Sequence, residues 1–474
     1  MKPILIFSLV SLFLVNLHAV KRHPPLYDKA LSKKENPYIF SMQPLFSNKD
    51  KVLAGEHKIL NFYTSGDRRR LYLWTTPVDI GDESKDNEVF EPSTTLPYPM
   101  YSTFSSDPFF DSPLTALLSP PRKALYDLQQ YGFTTKIIGL YIGQTTENTL
   151  PNGDKKAGFL GFEAYSNWLI YSSDMGLSAL TFELGYQSNL HKTEDLSKSV
   201  GSIITSNVIL GDSGPIIGDI YYTQGFFDNK VLVHAGRLTP WYFYGYNTFT
   251  DSETDAFTSE MFSGSVALPQ GGGNGSKPGV SIQYFINEKF YWTSVLTNTE
   301  GKASEFDFSI FNKDAYFIGT EIGYLSKENA LNTRISLGVH RAKVKQKSGE
   351  RKTGNGFNLM LEQELTPRDM SPYAGFFLQY EYSPAEIAPA TQQISGGIDI
   401  THPFHRKGDS FGWGIGTVKP SDEKLRREYF SDTYYRLQFT ENLQWSFDLQ
   451  LYIHPSSSEN NLAPVFNTRI LFSF

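Results

Sequence analysis

The sequence predicts an all-β fold, a transmembrane antiparallel β-barrel of about 16 strands. The first observation is the alternation over residues 443–454, where every second side chain is apolar and the others are polar. A strand points successive side chains to opposite faces, and this one is long enough to cross a bilayer at a tilt. The second is a negative mean hydropathy combined with 15% aromatic residues, which suits a wall with only one face in lipid. A soluble β-sandwich rarely sustains such a pattern.

The start of the chain predicts export. Lys2 precedes an apolar run over residues 4–15 and a small-residue cleavage site at residues 17–19. The run is shorter than the roughly twenty residues of a spanning helix, so we interpret residues 1–19 as a cleavable signal peptide. Export combined with the alternating strands indicates the cell outer membrane as the location.

The overall charge and the cysteine count exclude several classes of partner. Acidic residues outnumber basic ones by 50 to 43, which argues against a nucleic-acid partner and favours attraction of cations. The chain has no cysteine, so disulfides and cysteine-ligated metals are excluded.

Residues 20–132 are predicted to be an N-terminal extension on the periplasmic side. The segment contains basic patches, an acidic stretch and a region rich in Pro, Ser and Thr over residues 92–121. It can be a flexible or partly folded arm, or a pore plug or partner-binding module. Ser119 followed by two prolines predicts the start of one short helix that Gly132 ends, just before the barrel.

The barrel is predicted to occupy residues 133–474. Alternating or aromatic-rich runs predict strands at residues 133–142, 158–170, 177–187, 215–224, 230–238, 279–286, 290–296, 316–324, 331–341, 356–365, 372–382, 393–402, 410–418, 432–440, 443–454 and 464–474. Connections after even-numbered strands are short and those after odd-numbered strands are longer, as in barrels with periplasmic turns and outer loops. Residues 202–210 could form a seventeenth strand, but this parity places them in a loop.

The longest connection, residues 239–278, is the third outer loop and is the predicted filter. Sixteen strands enclose a lumen too wide for side chains to fill, so function depends on what narrows it. The loop has no basic residue before Lys277 and could fold inward, where its carboxylates favour cations and its rings offer flat faces to a sugar or a guanidinium. The alternative is an exposed acidic surface loop. The candidate residues are Asp251, Glu253, Asp255, Glu260, Trp241, Tyr242 and Tyr244, together with Tyr246.

Four arginines are predicted to face inward from the wall: Arg237, Arg334, Arg436 and Arg469. A charge there costs little, whereas on the lipid face near the midplane it costs roughly 2–4 kcal/mol. Opposite the loop acids they would set a transverse field across the lumen. They can equally be ordinary residues of the wet face.

Patterns that resemble catalytic or cofactor sites are incomplete. Residues 211–215 are similar to the nucleophile region of trypsin-like proteases but lack one glycine of it, and no matching histidine region exists. The glycines of residues 271–275 lack the Gly-Lys-Ser/Thr ending of a phosphate loop. His402 and His405 flank Pro403 with nothing to complete a metal site. We therefore expect no catalytic, cofactor or metal residues and no enzyme activity.

Several short motifs resemble the carbohydrate-selective porins called OprB-like. They are Gly236-Arg237 before a long aromatic loop, Tyr434-Tyr435 opening a strand, Leu449-Gln450 followed by Pro455, and the terminal Phe474. The resemblance covers residues 120–474 and implies a sixteen-stranded channel for passive uptake of small solutes, without a cofactor. Phe474 resembles the signal that the barrel-assembly machinery reads. The partners implied are outer-membrane lipid and a small solute, and homo-oligomerisation stays open.

The acidic third loop and the long N-terminal extension depart from the sugar-selective pattern. Within the family, the chain most resembles a porin for arginine uptake, which implies L-arginine or similar cationic amino acids as solutes. A carbohydrate-selective porin is the first alternative. An adhesin or structural barrel, which needs no constriction, is the second.

Overall fold

The alternating runs form a closed antiparallel barrel of sixteen strands in the computed structural model of the protein. The structure describes residues 61–64, 69–72, 133–173, 176–193, 195–208, 214–227, 230–250, 256–269, 275–287, 289–300, 314–328, 331–346, 348–366, 372–406, 409–440 and 443–473. All sixteen predicted strands are present, and the predicted fold class is confirmed.

The strands follow the chain around the barrel. A separate hairpin is formed by β1 (Asn61–Thr64) and β2 (Arg69–Tyr72). The barrel strands are β3 (Phe133–Thr145), β4 (Lys156–Ser173), β5 (Gly176–Asn189), β6 (Gly214–Phe226), β7 (Val231–Leu238), β8 (Lys277–Phe285), β9 (Phe290–Asn298), β10 (Tyr316–Glu328), β11 (Leu331–Lys345), β12 (Arg351–Glu364), β13 (Tyr373–Tyr382), β14 (Ala390–Thr401), β15 (Ser410–Pro420), β16 (Glu428–Thr440), β17 (Leu443–Ile453) and β18 (Leu462–Ser473).

The barrel closes through its first and last strands. β18 pairs antiparallel with β3, from Phe466 opposite Thr145 to Ser473 opposite Ile138. Every strand of the barrel therefore has two neighbours, and the backbone groups of the wall bond to each other. This closure allows a sheet to lie in hydrocarbon, because no strand edge is left exposed.

Each strand divides its side chains between lipid and lumen. On β11 the outward residues Ile335, Leu337 and Val339 are 50%, 45% and 49% exposed, whereas the inward Arg334 is 1% exposed. On β17 Phe447 is 43% exposed and its neighbour Asp448 is 3% exposed. The assignment of apolar side chains to the outer face near the C-terminus agrees with the sequence pattern. Phe474 lies outside the described residues.

The connections are longer at one end of the barrel than at the other, as the parity rule requires. Residues 190–213, hereafter L2, and residues 239–276, hereafter L3, are the two longest at the outer end. L2 contains α1 (Ser197–Val200), and L3 contains a 3-10 turn (Pro240–Tyr242) and α2 (Glu260–Ser263). Residues 202–208 form no strand, as predicted. One outer connection, residues 346–350, is shorter than expected because β12 begins at Arg351 and not near residue 356.

The predictions for the N-terminal part fall almost wholly on residues outside the described ranges. These are the signal peptide over residues 1–19, the extension over residues 20–132 and the short helix before the barrel. Only the β1–β2 hairpin is described there. Among the residues that the structure describes, no helix is long and apolar enough to cross a membrane.

Candidate functional site: the inward-folded third loop

L3 lies against the inner wall of the barrel. Its described residues 239–250 and 256–269 are mostly buried, and Met261 and Phe262 are 0% and 1% exposed. Phe257 makes an edge contact with Tyr434 of β16 at 5.0 Å between ring centroids. The side-chain amide of Gln393 on β14 donates to the main-chain oxygen of Met261 at 2.9 Å and accepts from the main-chain N–H of Val266 at 2.9 Å. These contacts place the loop where it narrows the lumen.

A track of glycines on β15 receives the apolar residues of L3. Gly412, Gly414 and Gly416 occupy alternate inward positions, so the wall has no side chains there. A Cβ added to Gly412 would lie 2.9 Å from Phe257, and one added to Gly414 would lie 2.6 Å from Phe262. Alternate glycines in a strand mark close approach by another chain segment, so the sequence of β15 carries a signal for this contact that was missed.

Arg334 fastens L3 to three wall strands at once. Its guanidinium forms ion pairs with Glu321 of β10 at 2.9 Å and with Glu362 of β12 at 3.0 Å. It also donates to the hydroxyl of Tyr291 on β9 at 2.8 Å and to the main-chain oxygen of Tyr246 at 2.7 Å. Arg334 therefore contacts the loop backbone directly, and two wall carboxylates balance its charge. It does not stand as a lone cation facing acids of L3.

The two glutamates bind the same stretch of L3. Glu321 accepts from the main-chain N–H of Gly245 at 2.9 Å, and Glu362 accepts from the N–H and the hydroxyl of Thr248. Gly245 has φ of +70°, a conformation that favours glycine. We call Arg334, Glu321 and Glu362 the wall clamp, because each of them bonds to the backbone of residues 245–248. Sequence reasoning identified Arg334 but not its two partners.

The aromatic residues proposed as flat faces for a solute are largely packed against protein. Tyr244 is 1% exposed and makes edge contacts with Phe317 and His340 at 5.6 Å. Burial raises the pKa of Tyr244, with smaller contributions from Glu381 and Glu321, so the phenol keeps its proton, and its hydroxyl shares a hydrogen bond of 2.8 Å with Nδ1 of His340. Tyr242 and Tyr246 are 5% and 6% exposed, and Trp241 is half-buried. In this structure Tyr244 anchors the loop and offers no free face.

L2 also enters the barrel and meets L3. Thr205 donates to Oε2 of Glu260 at 2.7 Å, and the main-chain N–H of Glu260 donates to the oxygen of Thr205 at 3.1 Å. Glu260 is partly buried as a residue and its carboxyl is enclosed by protein, and this desolvation raises its pKa to about 7. It is therefore a group that titrates near neutral pH. The other three predicted loop acids, Asp251, Glu253 and Asp255, lie outside the described residues.

The remaining wall arginines are all turned inward. Arg237 is 2% exposed and donates to the main-chain oxygen of Gly218 at 3.1 Å. Arg436 and Arg469 are each 1% exposed and stand on either side of Ser446 in the strand register, and Arg469 donates to its hydroxyl at 3.2 Å. Two arginines therefore share one level of the inner wall on β16 to β18.

Next to this level lie two buried polar side chains, Asp448 and Asn467, that make no hydrogen bond to the described residues. Asp448 faces Asn467 across β17 and β18, and they are 3% and 4% exposed. Within the part of the chain that the structure describes, neither carboxylate oxygen of Asp448 and neither amide atom of Asn467 makes a hydrogen bond. Buried polar groups are normally paired, so these atoms are suited to a water or a bound solute.

The buried charges of the described residues are predominantly acidic. The buried bases are Arg237, Lys277, Arg334, Arg436 and Arg469. The buried acids are Glu163, Asp195, Asp219, Glu321, Glu362, Glu364, Glu381, Asp399, Asp409, Glu428, Asp432 and Asp448. Acids therefore outnumber bases among the buried titratable side chains that the structure describes.

The fold is similar to that of one solved outer-membrane protein. The high-pH structure of Pseudomonas putida OprB superposes with a TM-score of 0.62 at 16% identity, covering 75% of this chain and 97% of that one. The low-pH structure of Pseudomonas putida OprB has a TM-score of 0.47 at 15% identity, covering 78% and 100%. A triple mutant of Rhodopseudomonas blastica porin has a TM-score of 0.41 at 11% identity, covering 72% and 100%. A search of curated proteins found no match to this sequence.

A sequence model of one family, described as carbohydrate-selective porin, OprB family, matches residues 195–474. The matched region runs from L2 through the last strand and includes L3, the wall clamp and the glycine track of β15. Because it covers more than half of the chain, the protein belongs to the OprB family of carbohydrate-selective porins.

Proposed function

We propose that the protein carries out passive uptake of small polar solutes through the outer membrane, and that carbohydrates are its first class of solute. The observation that carries the proposal is an inward-folded L3, bonded to the wall clamp, inside a closed sixteen-stranded barrel. Such a loop narrows a lumen that side chains alone do not fill. The family description supports carbohydrates over other solutes.

The inner wall offers groups that suit a sugar. Asp448 presents two acceptors, and Asn467 presents an acceptor and donors beside it. Arg469 adds donors at the neighbouring level of the register. A sugar hydroxyl both donates and accepts, so a wall that alternates such groups can replace its bonds to water during passage.

A second candidate is uptake of cationic amino acids such as L-arginine. The observation that favours it is the excess of buried acids over buried bases on the described wall and loops. The carboxylate of Asp448, whose oxygens make no hydrogen bond to the described residues, can accept two parallel bonds from a guanidinium. The resemblance to an arginine-uptake porin points in the same direction.

Uptake into liposomes separates the two candidates. The full-length protein is reconstituted, and initial rates are measured for radiolabelled D-glucose, L-arginine and L-glutamate at equal concentrations. Carbohydrate uptake predicts that glucose enters faster than both amino acids. Faster entry of arginine would replace that proposal with the second candidate, and no entry of any solute above empty liposomes would overturn both.

One pair of variants locates the path. Asp448→Asn removes the inward carboxylate, whereas Asp422→Asn makes the same change at an exposed residue between β15 and β16. We expect Asp448→Asn to lower arginine uptake by about threefold and glucose uptake by less, since only the cation loses a charge partner. Asp422→Asn should change neither rate.

A further inference from the structure

The outward face of β11 changes abruptly from apolar to basic towards its outer end. Ile335, Leu337 and Val339 face lipid, and the next outward residues are Arg341, Lys343 and Lys345. Cationic side chains on the lipid face are tolerated only near the interfaces of the bilayer. The end of β11 that carries them leads into an outer connection and not into a short periplasmic turn. The change from Val339 to Arg341 therefore marks the boundary between hydrocarbon and headgroups in the outer leaflet.

Neighbouring strands extend this basic surface. Arg351 of β12 lies directly opposite Lys345 in the register, and Asn355 lies opposite Arg341. We call Arg341, Lys343, Lys345 and Arg351 the basic rim. Just below it, Phe357 of β12 packs against Tyr380 and Tyr382 of β13 at 5.7 and 5.8 Å between ring centroids. Aromatic rings at this depth are typical of the membrane interface.

The protein compensates only part of the charge of the basic rim. Lys343 forms an ion pair with Asp314, and Arg351 forms one with Glu300 at 2.9 Å. Among the residues that the structure describes, Arg341 bonds only to neutral groups, the hydroxyl of Tyr316 and the side-chain oxygen of Asn355, each at 3.3 Å. Within the described residues no carboxylate pairs with Lys345. Like charges opposite each other across two strands are destabilising, as Lys345 and Arg351 are here, and an anion between them would relieve the repulsion.

We propose that the basic rim binds the phosphate groups of the phosphorylated glycolipid of the outer leaflet, lipid A. The phosphates would contact Arg341 and Lys345, and the acyl chains of the same molecule would lie on Val339 and Leu337 below them. A free phosphate ion would satisfy the charges but would leave that apolar surface unused. The basic rim faces away from the lumen, so this binding site is separate from the solute path.

Native mass spectrometry of the detergent-purified, full-length protein tests the proposal with diphosphoryl lipid A as the probe. Arg341→Gln with Lys345→Gln removes the two charges of the basic rim that form no ion pair with a described carboxylate. Lys419→Gln with Lys424→Gln, at exposed positions on and after β15, is the matched control. We expect about tenfold weaker binding in the first double variant and unchanged binding in the control. Equal binding by both double variants would overturn the proposal.

Two further probes distinguish the lipid from its parts. Dephosphorylated lipid A should bind about as weakly to the wild type as diphosphoryl lipid A does to the first double variant. Millimolar inorganic phosphate should not displace diphosphoryl lipid A. Strong binding of the dephosphorylated lipid, or displacement by free phosphate, would contradict recognition of a lipid-borne phosphate. If the double variant does not fold, Lys345→Gln alone should still weaken binding by about threefold, and unchanged binding would overturn the proposal.

Discussion

Arg334 of β11 and Glu362 of β12 form an ion pair of 3.0 Å, and each of them also bonds to the backbone of L3. Arg334 donates to the oxygen of Tyr246, and Glu362 accepts from the N–H of Thr248. Both side chains are almost completely buried, at 1% and 0% exposure. A buried pair contributes little net stability by itself, but it fixes geometry when its remaining bonding positions are satisfied. Here those positions are filled by the loop and, for Arg334, also by Glu321 and Tyr291 of the wall.

Arg334→Met should therefore release L3 as well as destabilise the barrel. The variant leaves Glu321 and Glu362 buried without their cation, a change that costs about 3–5 kcal/mol for buried pairs. We expect single-channel recordings to show noisier and larger conductance, because residues 245–248 lose their anchor. Urea unfolding followed by tryptophan fluorescence measures the loss of stability.

A variant at the surface controls for the loss of any ion pair. Arg351→Met breaks the ion pair with Glu300, in which the two side chains are 32% and 19% exposed. We therefore expect the free energy of unfolding to fall by at most about 1 kcal/mol and the conductance to stay unchanged. Stable, quiet channels in Arg334→Met would show that the wall clamp does not hold L3.

Gly414→Val should displace L3 from β15. A Cβ at this position would lie 2.6 Å from Phe262, and filling such a contact costs typically 1–3 kcal/mol. Because the barrel wall is hydrogen-bonded on both sides, we expect the loop to move before the strand does. The measurement is single-channel conductance, which should rise by roughly twofold or more. Ile415→Val, one residue away on the lipid face, should leave conductance as in the wild type.

The wall of the barrel could be predicted from the sequence because its physical causes are local. Each strand must alternate between lipid and lumen, so Trp445, Phe447 and Asp448 reveal their faces by position alone. The parity of long and short connections then fixes which end is outer. The ends of the strands are harder to predict from this pattern. The start of β12 was placed too late because its first outward residues, Arg351, Thr353 and Asn355, are polar near the interface and break the apolar alternation.

The interior of the site depends on contacts between residues far apart in sequence. Arg334 could be assigned to the inner face, but its pairing with Glu321 and Glu362 and its bond to Tyr246 require the folded path of L3. Aromatic composition alone could not show that Tyr244 would be used for anchoring. The close approach of L3 to β15 could have been predicted from the alternate glycines of that strand, because they leave room on the wall for another chain segment.

Phe447→Arg tests the assignment of faces. Phe447 is exposed to lipid, and arginine on that face near the midplane costs roughly 2–4 kcal/mol. We expect reduced yield of folded, heat-modifiable protein in outer membranes. Asp448→Asn, one residue away on the inner face, should assemble at the normal yield. Equal yields for the two variants would contradict the orientation of β17.

Ionisation of the Glu260 carboxyl should weaken the attachment of L3 to the barrel as pH rises. Its carboxyl has an ordinary pKa of 4.5 and a pKa raised to about 7 by burial in the folded protein. Between these values the folded state keeps a proton that the unfolded chain has lost, so stability falls as pH increases through this window. Glu260→Gln should remove that part of the pH dependence, measured as the change in Tm between pH 5 and pH 8. Glu147→Gln, at an exposed loop residue, should retain the wild-type dependence.

Ion selectivity tests whether L3 or the wall carries the filter. L3 contains Asp251, Glu253, Asp255 and Glu260 and has no basic residue from position 238 to position 276. If these carboxylates line the path, they act where screening is weaker than in open water, and each raises the local concentration of cations. Wild-type channels should then prefer cations in reversal-potential measurements across a salt gradient.

Replacing all four acids of L3 with Asn or Gln should flatten that preference while the barrel stays folded, because a loop contributes little to the hydrogen-bonded wall. The control is Asp422→Asn with Glu423→Gln, which removes charges from another outer connection. The raised pKa of Glu260 predicts a larger effect of the quadruple change at pH 8 than at pH 6, since this carboxyl is mostly charged only above about 7. An unchanged preference in the quadruple variant would assign selectivity to buried wall acids such as Asp448, and a wild-type preference for anions would assign it to the wall arginines.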